Sequence, residues 1–342
     1  MPTPEVLIFG AGAVGAFYGS RLAVAGAPVS AVCRSNYAAV KESGFSITSP
    51  QFGSYDWRPT RVFSSAADAV AAGVHWSFIV VTTKALPDVS DDSALLEGLV
   101  GPGTAIVLVQ NGLGVEEPYR QRFPHAAILS AVTVISAAQP SPGHIAHNRW
   151  TRINIGPFLP DLESADDKEE ESHAATSQAR EFAQLLVSGG VTDASAYSHR
   201  KLQQVRWHKI AINASFNPSS VLSNGTSNRA MAEDAEMSEH VRGVMEEVLT
   251  TAPKVLGAPF PAEFASAETI LNSTRKNVSG SRPSMWADWE AGRPMEVEAI
   301  LGNPIRLARA KGLEMPRMQT LYALIKMAQA NRDQLRKSQS RL

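Results

Sequence analysis

Near its start the chain reads Val6-Leu7-Ile8-Phe9-Gly10-Ala11-Gly12-Ala13-Val14-Gly15, and this stretch decides the fold. The first four residues are apolar and mostly β-branched or aromatic, as in a short buried strand. The glycines follow with the spacing Gly-x-Gly-x-x-Gly, and residues 16–25 are mostly residues that a helix tolerates well. Strand, glycine turn and helix in this order are typical of the first unit of a Rossmann fold. A Gly-rich turn that binds no ligand is the structural alternative.

Each glycine of such a turn has its own role in binding a dinucleotide. The first makes the tight turn, the second lets the backbone approach a pyrophosphate, and the third lets the helix pack closely on the strand. The pyrophosphate rests on the N-terminus of the helix, where free N–H groups and the helix dipole favour an anion. We therefore predict cofactor contacts from six consecutive residues: Gly10, Ala11, Gly12, Ala13, Val14 and Gly15.

The end of the second strand indicates which dinucleotide is bound. A second apolar run, residues 29–32, leads to Cys33-Arg34-Ser35, with no carboxylate at this point. NAD sites usually carry Asp or Glu here for the ribose hydroxyls, whereas an arginine accommodates the 2′-phosphate of NADP. Arg34 thus favours NADPH as the cofactor, and a solvated surface arginine is the alternative.

The rest of the chain indicates an α/β fold in two parts. Apolar runs at residues 76–81, 105–109 and 126–134 alternate with helical stretches, which predicts a doubly wound, largely parallel sheet. After about residue 196 the pattern is helical almost to the end, with clear periodicity at 237–249 and 318–335. We predict a Rossmann-type N-terminal domain at 1–197 and an all-helical substrate domain at 198–342. The acidic segment 161–178 predicts a solvated surface loop or insertion without activity.

Composition excludes several classes of protein. The 342 residues carry a formal net charge of -1 with mixed signs, which gives no support for nucleic-acid binding. Cys33 is the single cysteine, and no apolar run is long enough for a membrane span. Residues 1–9 lack a basic region followed by a long apolar run, so we expect no signal peptide. We expect a cytoplasmic protein. His144 and His147 lack the further ligands of a zinc site, so no metal is predicted.

A polar stripe marks the most informative helix. Lys209, Asn213 and Asn217 are spaced i, i+4, i+8 and share one face of a helix that is otherwise largely apolar. Asparagine is a mediocre helix former, and Pro218 after it disfavours regular helix. The stripe therefore favours a cleft lined with hydrogen-bonding groups, although the solvated face of an amphipathic helix is the alternative. Lysine supplies a cationic donor for the carbonyl oxygen of a 2-oxo acid, and the amides supply neutral donors.

Several short motifs occur in one order along the chain. They are the glycine turn at residues 10–15, Thr83-Lys84, Gln110-Asn111-Gly112, Trp207-x-Lys209-x-x-x-Asn213-x-x-x-Asn217-Pro218, Ser284-Met285-x-x-Asp288 and Glu296-Val297-Glu298. With this set the chain resembles the ketopantoate reductase (2-dehydropantoate 2-reductase) family over most of its length. The resemblance implies NADPH-dependent reduction of 2-dehydropantoate to pantoate, a step towards pantothenate and coenzyme A.

The resemblance also implies a role for each matched residue. Lys209 corresponds to the catalytic lysine that donates the proton, and Glu296 to the active-site acid near the lysine and the nicotinamide ribose. The substrate is held by Asn111, Asn213, Asn217 and Ser284. The cofactor is contacted by Arg34 and Lys84 at the adenosine phosphate, by Asn111 at the nicotinamide, and by Ala138 and Glu296.

Simpler explanations exist for some of these positions. Lys84 could be a loop lysine, Asn111-Gly112 only a turn, and Ser284 a helix N-cap. Glu296 and Glu298 alternate, so only one of them need face the site, and the resemblance chooses Glu296. The family has a further substrate-contacting asparagine after Pro218, and neither Asn224 nor Asn228 can be preferred for it.

Other functions remain open on the sequence alone. The same two-part plan serves reductases of other branched 2-oxo acids, 3-hydroxy acid dehydrogenases and opine-type dehydrogenases. An NADPH-binding regulatory module without turnover is the non-enzymatic alternative. The helical half could carry a homodimer interface, although no sequence feature demands one.

Overall fold

The computed structural model describes residues 3–159 and 169–339. Contacts between Cα atoms divide the chain into two compact units. The first unit consists of Met1–Lys84, Asp91–Gln110 and Val115–Leu202, and the second of Ala85–Ser90, Asn111–Gly114 and Gln203–Leu342. The second unit therefore takes in two short segments from the N-terminal half, and one of them begins at Asn111.

A mixed sheet of ten strands forms the first unit's centre. The strands are β1 (Val6–Phe9), β2 (Val29–Val32), β3 (Phe45–Ser49), β4 (Gly53–Trp57), β5 (Val62–Phe63), β6 (Phe78–Val81), β7 (Ala105–Leu108), β8 (Ala127–Ser141), β9 (His144–Pro157) and β10 (Ala194–Ala196). Their order is β4-β3-β9-β8-β7-β6-β1-β2-β5, and β10 pairs with β9.

The strands β5-β2-β1-β6-β7-β8 run parallel to one another. Among these parallel strands β1 comes first in the sequence. β2 and β5 lie on one side of β1, and β6, β7 and β8 lie on its other side. Ligands of open α/β sheets bind where the strand order reverses in this way, outside the carboxyl ends of the strands. The glycine turn follows β1 directly, so it lies at this reversal point.

Helices cover both faces of the parallel strands. They are α1 (Ala13–Val24), α2 (Tyr37–Ser43), α3 (Ala66–Ala71), α4 (Glu117–Arg122) and α5 (Glu169–Ser188), with a 3-10 turn at Asp92–Leu96. In β1, Val6 and Ile8 belong to the core that contains residues of α1 and α5, whereas Leu7 and Phe9 belong to the core with α3 and α4. The doubly wound sheet predicted from the sequence is confirmed.

The predicted strands at 29–32, 76–81, 105–109 and 126–134 are observed as β2, β6, β7 and β8. β8 continues to Ser141, beyond the predicted end. The extension forms because β9 pairs antiparallel with β8 over most of its length after the turn at Gly143, where φ is +80°. A paired strand satisfies its backbone groups, so polar residues can continue it.

The sequence predicts a loop for the acidic segment 161–178. Residues 161–168 of this segment lie outside the described residues. From Glu169 onward the chain is helix α5, so the prediction of a loop is wrong for the second half of the segment. Composition misled here because Ala175, Ala179 and Phe182 are buried at helical spacing in the core that includes α1. One apolar stripe is enough to dock a helix whose other face is polar.

The second unit is built of helices. They are α6 (His199–Leu222), whose first residues belong to the first unit, α7 (Asn228–Glu233), α8 (Ala235–Leu256), α9 (Ala267–Arg275), α10 (Ser284–Glu290), α11 (Asn303–Ala310) and α12 (Pro316–Gln339), with a π-helical turn at Glu298–Gly302. The predicted all-helical C-terminal region is confirmed. α6 continues through Pro218, because the residues around the proline are buried and their packing outweighs its local preference. Within 3–159 and 169–339, no helix is both long and apolar enough to span a bilayer.

Candidate functional site

The glycine turn between β1 and α1 shows why two of its glycines are required by the protein itself. Gly10 has φ +96°, and a Cβ there would lie 2.9 Å from the backbone nitrogen of Thr83. A Cβ on Gly15 would lie 2.5 Å from Thr82 Oγ1 and 2.8 Å from the carbonyl oxygen of Gly10. Real Cβ atoms do not approach that closely, so any larger residue would push α1 away from the sheet.

Gly12 is different, because no described part of the chain requires a glycine there. Its φ is -80°, which any residue adopts, and a Cβ built there would meet no described atom within 4 Å. The open space lies at the N-cap of α1, where the first N–H groups of a helix have no partner within the helix. No acidic side chain occupies the first turn. The turn therefore leaves room for an anion to approach the backbone, which fits the pyrophosphate of a dinucleotide.

Two side chains that the sequence interpretation missed hold this turn in place. Asn36 is buried and donates from Nδ2 to the carbonyl oxygen of Ala11 at 2.8 Å. Thr82 Oγ1 donates to the carbonyl oxygen of Gly10 at 2.6 Å. Asn36 follows Arg34 by two positions, and the segment after β2 therefore fixes the glycine turn through the Asn36 side chain. An asparagine soon after the second strand is the sequence feature that could have predicted this contact.

The other predicted cofactor residues of the first unit lie on separate elements. Arg34 and Ser35 are exposed directly after β2, and the Arg34 guanidinium has no ion-pair partner in the described ranges. Lys84 is half-buried and follows β6. Ala138 is exposed on β8, with its backbone opposite Ala146 of β9. The roles of these residues stay predictions.

In the second unit, three of the predicted residues meet. Lys209 Nζ donates to Asn111 Oδ1 at 2.7 Å, and Asn111 Nδ2 donates to Glu296 Oε2 at 3.3 Å. Asn111 and Glu296 are 185 positions apart in the chain. The amide thus links the lysine to the carboxylate, and its orientation is set by the hydrogen bonds at both ends. We call this cluster the lysine centre.

The segment after Asn111 is seated against the π-helical turn. Gly112 has φ +103°, and a Cβ there would lie 2.4 Å from the Cβ of Ala299. The N–H of Leu113 donates to the carbonyl oxygen of Ala299 at 2.9 Å, and Asn303 Nδ2 donates to the carbonyl oxygen of Leu113 at 2.6 Å. The turn signal Asn111-Gly112 therefore marks a backbone conformation that delivers the asparagine to the lysine.

The structure also separates the two glutamates. Glu298 accepts hydrogen bonds from Tyr322 at 2.6 Å, Arg306 at 2.8 Å and Lys326 at 3.1 Å. Burial opposes ionisation of Glu298, but these donors together hold its pKa below the usual value. Glu298 is thus committed to a network of its own, and Glu296 is the glutamate at the lysine centre.

The two helix asparagines differ in burial. Asn213 is half-buried on α6. Asn217 is buried, and its Nδ2 has no hydrogen-bond partner among the described residues. A buried donor without a partner is costly and needs an explanation such as an absent ligand. On α6 it lies two turns beyond Lys209, on the same face.

Ser284 is the first residue of α10, and the N-cap position belongs to Pro283, with no side-chain capping bond. The alternative that Ser284 is the N-cap is therefore wrong, because the helix begins at the serine and not after it. Its side chain is exposed. Asp288 is buried and accepts from Arg293 Nε at 3.1 Å.

The environment of Lys209 weakens its hold on its proton. The residue is half-buried. Burial of the ammonium, and next the positive charge of Arg206, lower the pKa of Lys209 to about 8, while Glu296 opposes the shift. A group that titrates near neutral pH can give up a proton during turnover. No group of three or more potential metal ligands occurs in residues 3–159 and 169–339.

Comparison with known proteins identifies the family. The profile described as Ketopantoate reductase PanE/ApbA matches residues 6–160, and the one described as Ketopantoate reductase PanE/ApbA C terminal matches residues 201–329. The chain belongs to the ketopantoate reductase family. The resemblance predicted from the motifs is thereby confirmed, and the protein is a member of an oxidoreductase family.

Individual relatives cover almost the whole of this family member. It is 29% identical to a 2-dehydropantoate 2-reductase of Nostoc sp. over 93% of this chain and 93% of the relative. It is 30% identical to an uncharacterised protein of Saccharomyces cerevisiae, over 95% and 94% of the two chains. The crystal structure of 2-dehydropantoate 2-reductase from Methylococcus capsulatus superimposes with a TM-score of 0.79 at 31% identity, covering 96% of this chain and 97% of that chain.

Proposed function

We propose that the protein reduces 2-dehydropantoate to pantoate with NADPH, and that Lys209 is the proton donor. The observation that carries the proposal is the lysine centre, in which Asn111 links the Lys209 ammonium to the Glu296 carboxylate. The relatives named 2-dehydropantoate 2-reductase support the choice of substrate. We place this reaction in the cytoplasm, as a step towards pantothenate.

The glycine turn and Arg34 are the residues that would hold the cofactor. Gly12 leaves its backbone open to a pyrophosphate, and the exposed Arg34 guanidinium can pair bidentately with a 2′-phosphate. Lys84, Asn111, Ala138 and Glu296 complete the proposed contacts. When bound, NADPH supplies the hydride that is added to the keto carbon of the substrate.

Lys209 acts on the oxygen of the same carbonyl group. Its ammonium stabilises the negative charge that develops on this oxygen and then transfers a proton to it, which gives the hydroxyl of the product. Asn111 fixes the direction of the ammonium through the 2.7 Å hydrogen bond. Glu296 stabilises the protonated lysine electrostatically, so the proton remains available until the alkoxide forms.

The remaining polar groups suit the substrate's other oxygens. Asn217 offers a buried Nδ2 donor that has no partner in the described part of the chain. Together with Asn213, it would hold the hydroxyl and carbonyl groups of the substrate. Ser284 would bind the carboxylate, since its exposed hydroxyl is not used as a helix cap.

Gly12→Ala is expected to weaken NADPH binding about tenfold or more without loss of stability. The new methyl group meets no described protein atom within 4 Å, so the fold tolerates it. It occupies the space through which the pyrophosphate reaches the N–H groups of α1, so several charge-assisted hydrogen bonds lengthen. Titration of intrinsic fluorescence with NADPH gives the Kd, and thermal unfolding of the free protein gives the Tm.

Gly15→Ala is the matched control for Gly12→Ala, because it adds the same methyl group to a glycine that the fold itself requires. Its methyl group would lie 2.5 Å from Thr82 Oγ1, so we expect a lower Tm of the free protein. Equal NADPH affinity in wild type and Gly12→Ala would show that the cofactor does not approach this turn.

The pH dependence of the reaction should report the pKa of Lys209. The ammonium is the active form for reduction, so kcat/KM should be flat at low pH and fall as the pH rises through about 8. The reverse oxidation needs the neutral amine as a base, so its rate should rise over the same range. Initial rates in both directions between pH 6 and 11, in buffers of constant ionic strength, check this. A fall centred near the ordinary lysine pKa of about 10.4 would contradict it.

Oxidation of NADPH, followed by absorbance, tests the function itself. The substrates are 2-dehydropantoate, a panel of other branched 2-oxo acids, and NADH in place of NADPH. Rapid turnover of 2-dehydropantoate with NADPH alone supports the proposal. Preference for another 2-oxo acid would show that this acid is the substrate. Binding of NADPH without any turnover would indicate a regulatory binding module.

A further inference from the structure

Arg206 is a buried cation for which the proposed reaction has no direct use. It lies on α6 one helical turn before Lys209, and only 2% of its surface is exposed. Its Nη1 donates to the carbonyl oxygen of Gly112 at 2.9 Å. Burial of a charged side chain costs several kcal/mol unless its interactions compensate. Arg206 thus keeps a permanent positive charge in a buried position on the helix that carries Lys209.

Arg206 and Lys209 bind two consecutive residues of the same segment. Lys209 Nζ donates to the side chain of Asn111, and Arg206 Nη1 donates to the backbone of Gly112. Residues at i and i+3 lie on one face of a helix, so α6 holds the segment at two points. Ala299 closes the other side, because it leaves no room for a Cβ on Gly112. Asn111 is thus fixed through its own amide and through the carbonyl group of the next residue.

The charge of Arg206 also acts on Lys209. Among the described residues, the charged groups that act on the Lys209 ammonium are Arg206 on its own helix and Glu296 from the segment before the π-helical turn. Asn111 is neutral, and His208 is directed elsewhere, since its Nε2 lies 2.8 Å from the carbonyl oxygen of Ala265. Burial lowers the pKa of Lys209 most, Arg206 adds to this, and Glu296 opposes it.

We propose that Arg206 is a positioning residue of the lysine centre: it holds the Asn111 amide against the Lys209 ammonium and places a permanent positive charge one turn away from it. An arginine suits both tasks, because its planar fork reaches a carbonyl oxygen in fixed geometry and it never loses its charge. The inference rests on the proposed function for its kinetic consequences, but not for its effect on the lysine itself.

Two substitutions separate the two tasks. Arg206→Gln retains N–H donors and removes the charge, so the pKa of Lys209 should rise by about one unit, the lower end of the effect of a close charge. Arg206→Lys retains the charge but loses the planar fork, so the pKa should stay in place while kcat falls about tenfold. Arg242→Gln, which removes a half-buried arginine of α8, is the control and should change neither quantity.

The pKa of Lys209 is measured without reference to activity, by competitive labelling with limiting acetic anhydride over a range of pH. The acetylated Lys209 peptide is quantified by mass spectrometry. The pH dependence of kcat/KM with NADPH and 2-dehydropantoate is measured alongside, and its basic limb should move to higher pH in Arg206→Gln by the same amount.

A labelling midpoint in Arg206→Gln and a kcat in Arg206→Lys that both equal those of the wild type would overturn the inference. If the glutamine variant does not fold, unchanged kcat in Arg206→Lys overturns it instead. Wild-type protein that turns over no 2-oxo acid contradicts the proposed function alone, because a shifted labelling midpoint in Arg206→Gln would still support the inference.

Discussion

Replacing Lys209 by alanine is expected to lower kcat for the reduction of 2-dehydropantoate at least about a hundredfold, the usual cost of losing a general acid. Asn111 orients the Lys209 ammonium at the lysine centre, and the nearby Arg206 cannot replace it as a general acid, because a guanidinium does not release a proton. NADPH affinity should change little, because the glycine turn and Arg34 belong to other elements. Steady-state rates and fluorescence titration with NADPH give the two quantities.

Lys209→Arg distinguishes a proton donor from a fixed cation. Arginine keeps the positive charge but does not release a proton at any physiological pH. We expect this variant to be about as slow as Lys209→Ala. An arginine variant with most of the wild-type kcat would show that Lys209 acts only as a charge. Lys254→Ala, which removes an exposed lysine from α8, is the matched control and should retain full activity.

Replacing Arg34 by aspartate is expected to reverse the cofactor preference. The loss of a bidentate, charge-assisted pair with the 2′-phosphate should lower kcat/KM for NADPH by about 10- to 100-fold. The new carboxylate can accept hydrogen bonds from the ribose hydroxyls of NADH, as in NAD-specific sites. We therefore expect kcat/KM for NADH to rise. The ratio of the two values, measured at saturating 2-dehydropantoate, is the decisive quantity.

Arg180→Asp controls for the change in net charge. Arg180 is exposed on α5, and its replacement by aspartate makes the same change of charge. We expect its cofactor ratio to equal that of the wild type. If Arg34→Asp also keeps the wild-type ratio, the 2′-phosphate is recognised by other residues.

The N-terminal fold could be predicted because its signals are local. The strand Val6–Phe9, the glycine turn and α1 follow one another directly, and each has a residue pattern that one type of structure favours. The acidic segment was misjudged for the opposite reason. Its composition suggested solvent, but the apolar residues that dock α5 begin only at Ala175, near the end of the segment.

The members of the lysine centre could be named from short motifs, but their contacts could not. Asn111 lies 98 positions from Lys209 in the chain, and nothing in either local pattern indicates a shared hydrogen bond. Arg206 and Asn36 were overlooked because each acts on a backbone carbonyl group, at Gly112 and Ala11 respectively. A carbonyl oxygen is present at every residue, so no side-chain motif records such a bond.

The sequence by itself determined the fold class, the order of the elements and the family, because periodicity, glycine spacing and motif order are properties of neighbouring residues. The tertiary structure decided which polar groups meet. It joined Asn111 to Lys209 and Glu296, and it committed Glu298 to Tyr322 and its basic neighbours. It also set the pKa of Lys209, since the burial of the ammonium and its proximity to Glu296, which is distant in the sequence, exist only once the helices have packed.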